Sequence, residues 1–172
     1  MKALKAGINP KKIVYSGVGK TSLELSYAIE KKILLINSES KSEVLEIERL
    51  AKLKKKIVNI GIRLNPNTDA KTLSQISTGK KEDKFGVNEK TFIELVNYLK
   101  KSQYVNLKCL SVHIGSQIIN HKPYEKMLRV IEKLIYKIKF KFEFVDLGGG
   151  MGISYQNDKK ILNYKKYNLA VK

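Results

Sequence analysis

Five short apolar segments recur along the chain, and each is mostly continuous in hydrophobicity rather than alternating with polar residues. Strands buried on both faces show this pattern, because helices cover both sides of a parallel sheet. Amphipathic patterns with helical spacing lie between the segments, so the chain alternates strand and helix. The predicted strands comprise residues 12–15, 33–36, 57–64, 107–112 and 142–147.

Two of the predicted helices begin at capping boxes, Thr21–Glu24 and Ser40–Glu43, where a hydroxyl and a Glu three residues later satisfy free backbone N–H groups. Two more helices follow from apolar residues at helical spacing within 92–99 and 127–138. Gly7 has the position of a helix C-cap. The alternation predicts an α/β fold with a parallel sheet, and both an open doubly wound sheet and a (β/α) barrel satisfy it.

The net charge of the chain is large, since 34 Lys and Arg stand against 16 Asp and Glu to give +18. Such a charge suggests nucleic acid or an anionic membrane surface as a partner. However, the lysines are spread along the whole chain, and the only arginines are Arg49, Arg63 and Arg129. Arginine is the residue that reads phosphates and base edges with a planar fork. Solvated lysine faces are therefore the preferred interpretation.

Composition also limits the class of protein. A chain of 172 residues that is 42% hydrophobic can build one domain with a real core. The single cysteine, Cys109, excludes a disulfide framework and a cysteine-built zinc site, so we expect no metal and a buried thiol. No apolar run approaches the ~20 residues of a membrane helix, and the first residues lack a signal-peptide core. These features predict a cytoplasmic protein.

Polar and glycine-rich residues collect directly after the predicted strands, where parallel α/β folds bind ligands. Gly148, Gly149 and Gly150 follow the fifth strand, and successive glycine N–H groups form a nest for a phosphate. A structural turn is the alternative. Ser116 adds a hydroxyl after the fourth strand, so two loops can clasp one phosphate. His113 is expected to face a ligand, with a satisfied core histidine as the alternative.

Residues 16–21, Ser-Gly-Val-Gly-Lys-Thr, resemble the end of a P-loop. That motif requires a glycine five residues before its second glycine, and Val14 occupies this position. The loop is therefore too short to wrap a phosphate chain. A tight strand-to-helix turn is the preferred interpretation.

Several motifs in a fixed order resemble the diaminopimelate decarboxylase family, pyridoxal-phosphate enzymes with the alanine-racemase-like fold. The resemblance covers essentially the whole chain. It implies a TIM barrel that binds pyridoxal 5'-phosphate and decarboxylates meso-2,6-diaminopimelate to L-lysine and CO2 in lysine biosynthesis. The motifs are residues 15–21, Arg63 to Thr72, Ile76 to Gly79 with Lys84-Phe85-Gly86, His113-Ile114-Gly115-Ser116-Gln117, Asp146 to Tyr155 and Asn163 to Tyr167.

The same resemblance implies roles for individual residues. His113 would stack on the pyridine ring of the cofactor, and Ser116 would bind its phosphate. The backbone of Gly148, Gly149 and Gly150 would cradle that phosphate. The family also implies a homodimer with active sites shared across the interface.

Three parts of the family pattern have no match in this sequence: the Schiff-base lysine motif, the Glu-Pro-Gly-Arg segment and the C-terminal β domain. None of the 31 lysines matches the Schiff-base position, and residues 73–75 depart from the pattern. Residues 1–172 thus correspond to about five consecutive βα units of an eight-unit barrel, a single incomplete domain. We expect an internal fragment that contains no catalytic residue, is marginally stable and is inactive alone.

Other functions remain open from the sequence. Ornithine, arginine and carboxynorspermidine decarboxylases share the His-x-Gly-Ser and triple-glycine patterns, although Gln117 and the run from Ser77 to Phe85 favour diaminopimelate. A non-catalytic pyridoxal-phosphate-binding remnant is a second alternative. Nucleic-acid binding through the lysines, the third, would show as DNA retention with a steep dependence on salt.

Overall fold

A computed structural model describes residues 2–67, 85–153 and 162–172. Within these residues, five parallel strands form one sheet in the order β1-β2-β3-β4-β5. A doubly wound sheet reverses its order near the middle, whereas this sheet adds every strand on the same side, as a (β/α) barrel does. The fold is therefore a partial barrel. The strands are β1 (Val14–Tyr15), β2 (Leu35–Ser38), β3 (Val58–Leu64), β4 (Val105–Val112) and β5 (Phe144–Asp146).

A helix follows each strand. The first four of these helices bury an apolar side against the sheet, whereas the last packs on the helix before it and has no buried residue. Alternate strand residues such as Ile36, Ile60 and Leu110 are at most 1% exposed and share one hydrophobic cluster with helix residues such as Phe92 and Met127. The main core thus lies between the sheet and its helices. The helices are α1 (Lys2–Lys5), α2 (Ser22–Glu30), α3 (Lys41–Leu53), α4 (Glu89–Leu99), α5 (Lys122–Ile138) and α6 (Tyr164–Val171), with a 3-10 turn at Pro10–Lys12.

The strand boundaries differ from the sequence prediction most clearly in β2. The strand begins at Leu35 and runs through Asn37 and Ser38, which the sequence pattern assigned to a loop because they are polar. Both residues are nevertheless buried, at 1% and 0% exposure. A polar cluster on the other face of the sheet accommodates Asn37. Helix α6 has no counterpart among the helices that the apolar pattern predicted.

The two predicted capping boxes form to different extents. Thr21 and Glu24 bond each other's backbone reciprocally at the start of α2, as predicted. At the start of α3, Ser40 accepts the N–H of Glu43 at 3.2 Å. The Glu43 carboxylate accepts instead from the N–H of Glu39, and it also pairs with Lys20. The prediction of a second capping box was therefore wrong for the bond from the Ser40 N–H to the Glu43 carboxylate.

The C-terminus of α1 follows the sequence prediction. Gly7 has φ +78°, and the N–H groups of Gly7 and Ile8 bond the carbonyls of Leu4 and Ala3, which is a Schellman motif. Two longer helices end in the same motif with lysine in place of glycine, at Lys32 and Lys55.

Cys109 is fully buried in β4, as predicted. Burial raises the pKa of its thiol to about 12. None of the helices within the described ranges combines the length and apolarity that crossing a membrane requires. The same ranges contain no cluster of three or more side chains suited to hold a metal ion.

Candidate functional site

The face of the sheet opposite the main core carries a polar cluster centred on Asn37. Its amide nitrogen donates to Ser16 Oγ at 2.9 Å and to Asp146 Oδ2 at 2.8 Å, and lies 3.4 Å from Ser111 Oγ. Ser111 itself donates to Asp146 Oδ2 at 3.1 Å. One buried side chain thereby joins the ends of β1, β2, β4 and β5 beneath the rim where the strand ends meet.

Gly61 in β3 makes room for this asparagine. Gly61 lies opposite Asn37 on one side and Cys109 on the other. A Cβ at position 61 would lie 2.1 Å from Asn37 Oδ1 and 3.0 Å from Cys109 Cβ. Asn37 Oδ1 is buried and accepts no hydrogen bond within the described part of the chain. The strand therefore needs glycine here for packing rather than for backbone conformation.

The glycine loop after β5 is bonded to Asp146 of this cluster and to His113. Asp146 Oδ1 accepts the N–H of Gly148 at 2.9 Å, and His113 Nδ1 accepts the N–H of Gly149 at 3.3 Å. Two of the three N–H groups proposed for a phosphate nest thus have acceptors within the chain. These bonds fix the path of the loop.

The loops after β4 and β5 are also bonded directly to each other. The N–H of Ile118 donates to the carbonyl of Gly150 at 2.8 Å, and the N–H of Gly152 donates to that of Ile118 at 3.0 Å. Ser116 lies exposed between these contacts and His113. The structure thus brings together the two loops that the sequence analysis expected to meet.

The three glycines of the loop differ in what surrounds them. At Gly150, with φ +86°, a Cβ would lie 1.8 Å from the carbonyl oxygen of Gly115. At Gly148, with φ +70°, it would lie 2.5 Å from that of Val112. At Gly149 a Cβ would meet nothing within 4 Å, and this residue is exposed. Backbone conformation and close carbonyl contacts thus explain why positions 148 and 150 require glycine, whereas position 149 has space for a side chain.

His113 presents an uncharged ring at this rim. Its Nδ1 is an acceptor, which assigns the imidazole proton to Nε2. Burial, followed by the positive charge of Arg63, lowers the pKa of His113, although Asp146 and Glu39 oppose this. A flat neutral ring of this kind suits stacking on an aromatic ligand better than pairing with an anion.

Arg63 and Glu39 form an ion pair beside His113. Arg63 Nη1 lies 3.0 and 3.1 Å from the two carboxylate oxygens of Glu39, and the side chains are 12% and 6% exposed. Arg63 Nη2 lies 3.5 Å from the carbonyl oxygen of His113. The pair thus connects the ends of β2, β3 and β4. The sequence analysis named Arg63 as one of three arginines and as part of a motif, but assigned no partner to it.

Tyr124 of α5 supports the loop from the helix side. It is 1% exposed, and its hydroxyl donates to the carbonyl of Gly149 at 2.9 Å. Its ring meets that of Tyr167 edge-on, with centroids 4.9 Å apart. Burial raises the pKa of Tyr124 to about 12, so it remains a hydrogen-bond donor. Nothing in its apolar helix pattern signalled this contact.

Part of the sequence pattern lies outside the described residues. This applies to residues 68–84, which include the Ser77-Thr78-Gly79 motif, and to residues 154–161. The candidate site described above therefore consists of residues at the ends of β1 to β5 and in the described turns that follow them.

A barrel-type parallel sheet with a glycine loop, a hydroxyl and a neutral imidazole at its carboxyl edge defines a (β/α) domain suited to a phosphorylated aromatic ligand. The chain belongs to the pyridoxal-dependent decarboxylases, since the model of their pyridoxal-binding domain matches residues 1–172. The expected membership of a pyridoxal-dependent family is thus confirmed.

Curated relatives point to one branch of this family. A diaminopimelate decarboxylase of Helicobacter pylori is 43% identical over 167 residues, which are 95% of this chain and 41% of the relative. One of Campylobacter jejuni is 40% identical over 161 residues, covering 92% of this chain and 40% of the relative. The chain thus spans about two fifths of the length of these relatives.

Solved structures show the same similarity. The crystal structure of Helicobacter pylori diaminopimelate decarboxylase complexed with L-lysine has a TM-score of 0.88 at 39% identity, covering 99% of this chain and 44% of that one. An arginine decarboxylase of Paramecium bursaria Chlorella virus has a TM-score of 0.74 at 20% identity, covering 99% of this chain and 44% of that one, and it shares the fold alone.

Proposed function

We propose that this chain is the pyridoxal-phosphate-binding part of a diaminopimelate decarboxylase, which converts meso-2,6-diaminopimelate to L-lysine and CO2. The observation that carries the proposal is the bonded pair of loops after β4 and β5, one of which contains His113 and Ser116 and the other Gly149. Relatives that are 40–43% identical and named diaminopimelate decarboxylase support this substrate over ornithine or arginine.

The described residues suit the cofactor in its separate parts. The exposed backbone of Gly149 lets a phosphate approach closely, flanked by Gly148 and Gly150, and the Ser116 hydroxyl can donate to it. The neutral ring of His113 can stack on a pyridine ring. When bound, pyridoxal phosphate supplies the electron sink for loss of CO2. The chain's own residues bind and orient it.

Binding is tested best with pyridoxamine 5'-phosphate, because its amine cannot form an imine with the many lysines of this chain. We expect saturable binding by fluorescence titration, with competition by inorganic phosphate. Ser116→Ala should weaken binding by about tenfold, which is the loss of one charge-assisted hydrogen bond. Ser102→Ala, far from the rim, is the matched control. Absence of saturable binding, or equal binding by both variants, would contradict the proposal.

We extend the proposal to the assembly and location that the family resemblance implies, a homodimer in the cytoplasm. Light scattering of the purified chain tests the first part. A monomer at all concentrations would overturn it for this chain.

A further inference from the structure

Lys20 is buried, which is unusual for a residue type that covers the surface of this chain. Its side chain is 1% exposed. The ammonium donates to the carbonyl of Gly17 at 2.5 Å and pairs with Glu43 Oε1 at 2.5 Å. It also lies 5.5 Å from the ring centroid of Tyr15. The P-loop-like segment, residues 16–21, thus contains a lysine whose side chain points into the protein.

Glu43 links Lys20 to the backbone at the end of β2. While Oε1 pairs with Lys20, Oε2 accepts the backbone N–H of Glu39 at 3.2 Å. This bond explains why the second capping box is incomplete. The ion pair therefore connects the turn after β1 with the backbone at the position where β2 leaves the sheet.

Glu39 carries the connection to the candidate site. Its backbone N–H is held by Glu43, and its carboxylate holds Arg63 through both oxygens. Arg63 in turn reaches the carbonyl of His113. Each step is a polar contact, and the side chains that make it, those of Lys20, Glu43, Glu39 and Arg63, are no more than 12% exposed.

Stability alone does not account for this pair. Burying an ion pair costs desolvation that its attraction barely offsets, and replacing both partners with apolar residues is often neutral. We propose that Lys20 and Glu43 are positioning residues that hold Glu39, and through it Arg63, in place at the pyridoxal-phosphate site. The effect on cofactor binding rests on the function proposed above, whereas the contact relay does not.

Two double variants separate geometry from stability. Lys20→Met with Glu43→Leu removes both charges and the acceptor for the Glu39 N–H. Lys20→Met with Glu43→Gln removes the same charges but keeps an oxygen as that acceptor. Both leave the net charge unchanged and leave no single charge buried without its partner, so we expect both to fold. Circular dichroism and thermal unfolding check this.

The first readout is the NMR titration of His113, since the chain has one other histidine, His121, as an internal reference. Among the described residues, Arg63, Asp146 and Glu39 are charged groups that act on His113. If Arg63 moves away in the Met/Leu variant, the pKa of His113 should rise. The Met/Gln variant should restore it toward that of the parent chain. The second readout is affinity for pyridoxamine 5'-phosphate, which should fall ~10-fold in the Met/Leu variant only. Losses of this size are typical when a residue that orients a ligand-binding side chain is removed.

A surface ion pair provides the matched control. Lys137 and Glu89 pair at 2.7 Å with side chains 62% and 53% exposed. Lys137→Met with Glu89→Gln should change neither readout. Folded Met/Leu protein with an unchanged His113 titration would overturn the inference. If His113 shifts but the parent chain binds no pyridoxamine 5'-phosphate, the proposed function fails and the relay stands.

Discussion

Gly149 and Gly150 are adjacent, yet the structure requires glycine at only one of these positions. Alanine at 150 would adopt a left-handed conformation and collide with the carbonyl of Gly115. We expect Gly150→Ala to lower the free energy of unfolding by at least ~2 kcal/mol. Gly149→Ala should stay within about 0.5 kcal/mol of the parent chain. Urea unfolding of both variants measures this.

Gly149→Ala also distinguishes an effect on ligand binding from an effect on folding. Gly149→Ala adds a methyl group where the cofactor phosphate is proposed to approach, so it should weaken pyridoxamine 5'-phosphate binding while the protein remains folded. Full binding by this variant would count against the phosphate position.

Gly61 and Asn37 should behave as a coupled pair. Alanine at 61 would displace the Asn37 amide and break its bonds to Ser16 and Asp146, which we expect to cost about 2–4 kcal/mol of unfolding free energy. In an Asn37→Ala background the added methyl enters vacated space, so Gly61→Ala should cost at least ~1 kcal/mol less. A double-mutant cycle by urea unfolding tests this, and strict additivity would argue against the packing described.

His113 should make stability depend on pH just below neutrality. Its pKa is lowered in the folded chain from the ordinary value of 6.5, so the unfolded chain binds a proton first as pH falls. The stabilisation is therefore complete above about pH 6.5 and is lost as pH falls toward the folded pKa. His113→Gln should flatten this part of the profile in urea unfolding series. An identical slope in both proteins would contradict it.

For individual residues, the sequence was sufficient to identify polar residues and glycines directly after strands as candidates for the site. His113, Ser116 and the three glycines were singled out as polar or flexible residues after strands. Their partners were missed, because Asn37 and Tyr124 meet the loop only through strand register and helix docking. Hydrophobic periodicity contains no information on such contacts across the sheet.

Three of the helices are followed by a lysine in the left-handed backbone conformation. Lys32, Lys55 and Lys139 have φ values of 51°, 50° and 48° just after α2, α3 and α5. The left-handed conformation costs a lysine roughly 1 kcal/mol, whereas glycine adopts it freely. Each Lys→Gly substitution should therefore raise the free energy of unfolding by about 0.5–1 kcal/mol.

Thermal or urea unfolding of the single variants provides the check. The ends of α2 and α3 are in contact, since Lys54 pairs with Glu30, so additivity is expected only between Lys139→Gly and either of the other two variants. Lys11→Gly serves as a control, since residue 11 lies within the 3-10 turn and gains nothing from a left-handed preference. Loss of stability in all three single variants would refute the explanation.

Helices were easier to anticipate than strand ends. Capping residues and 3.6-residue spacing located α2 to α5 within a few positions, because these signals are local. β2 was displaced by two residues, since buried Asn37 and Ser38 look like loop residues unless the facing Gly61 is known. A strand boundary of this kind depends on the neighbouring strand.

At the scale of the whole molecule, alternation of strands and helices predicted the fold class but not the winding. Barrel and doubly wound sheets use the same local pattern, and only the strand order distinguishes them. The motif resemblance favoured the barrel, and the order β1 to β5 confirms it.

The 172-residue chain should be inactive by itself. None of its lysines matches the Schiff-base motif of the family, and Lys20, which lies in a different motif of the family, is held by Glu43. Incubation with pyridoxal phosphate and meso-diaminopimelate should therefore release no lysine above a boiled control. Robust lysine production would overturn this expectation.

The strand order also bears on how the chain is made. Within the described residues, every strand pairs only with the strands before and after it in the sequence. During synthesis from the N-terminus, each βα unit can therefore dock on the one already formed, without waiting for distant segments. Strand β5, which follows β1 to β4 in the chain, brings Asp146 to the amide of Asn37. Because Asp146 also bonds Gly148, the glycine loop should take its shape only when β5 has joined the first four strands.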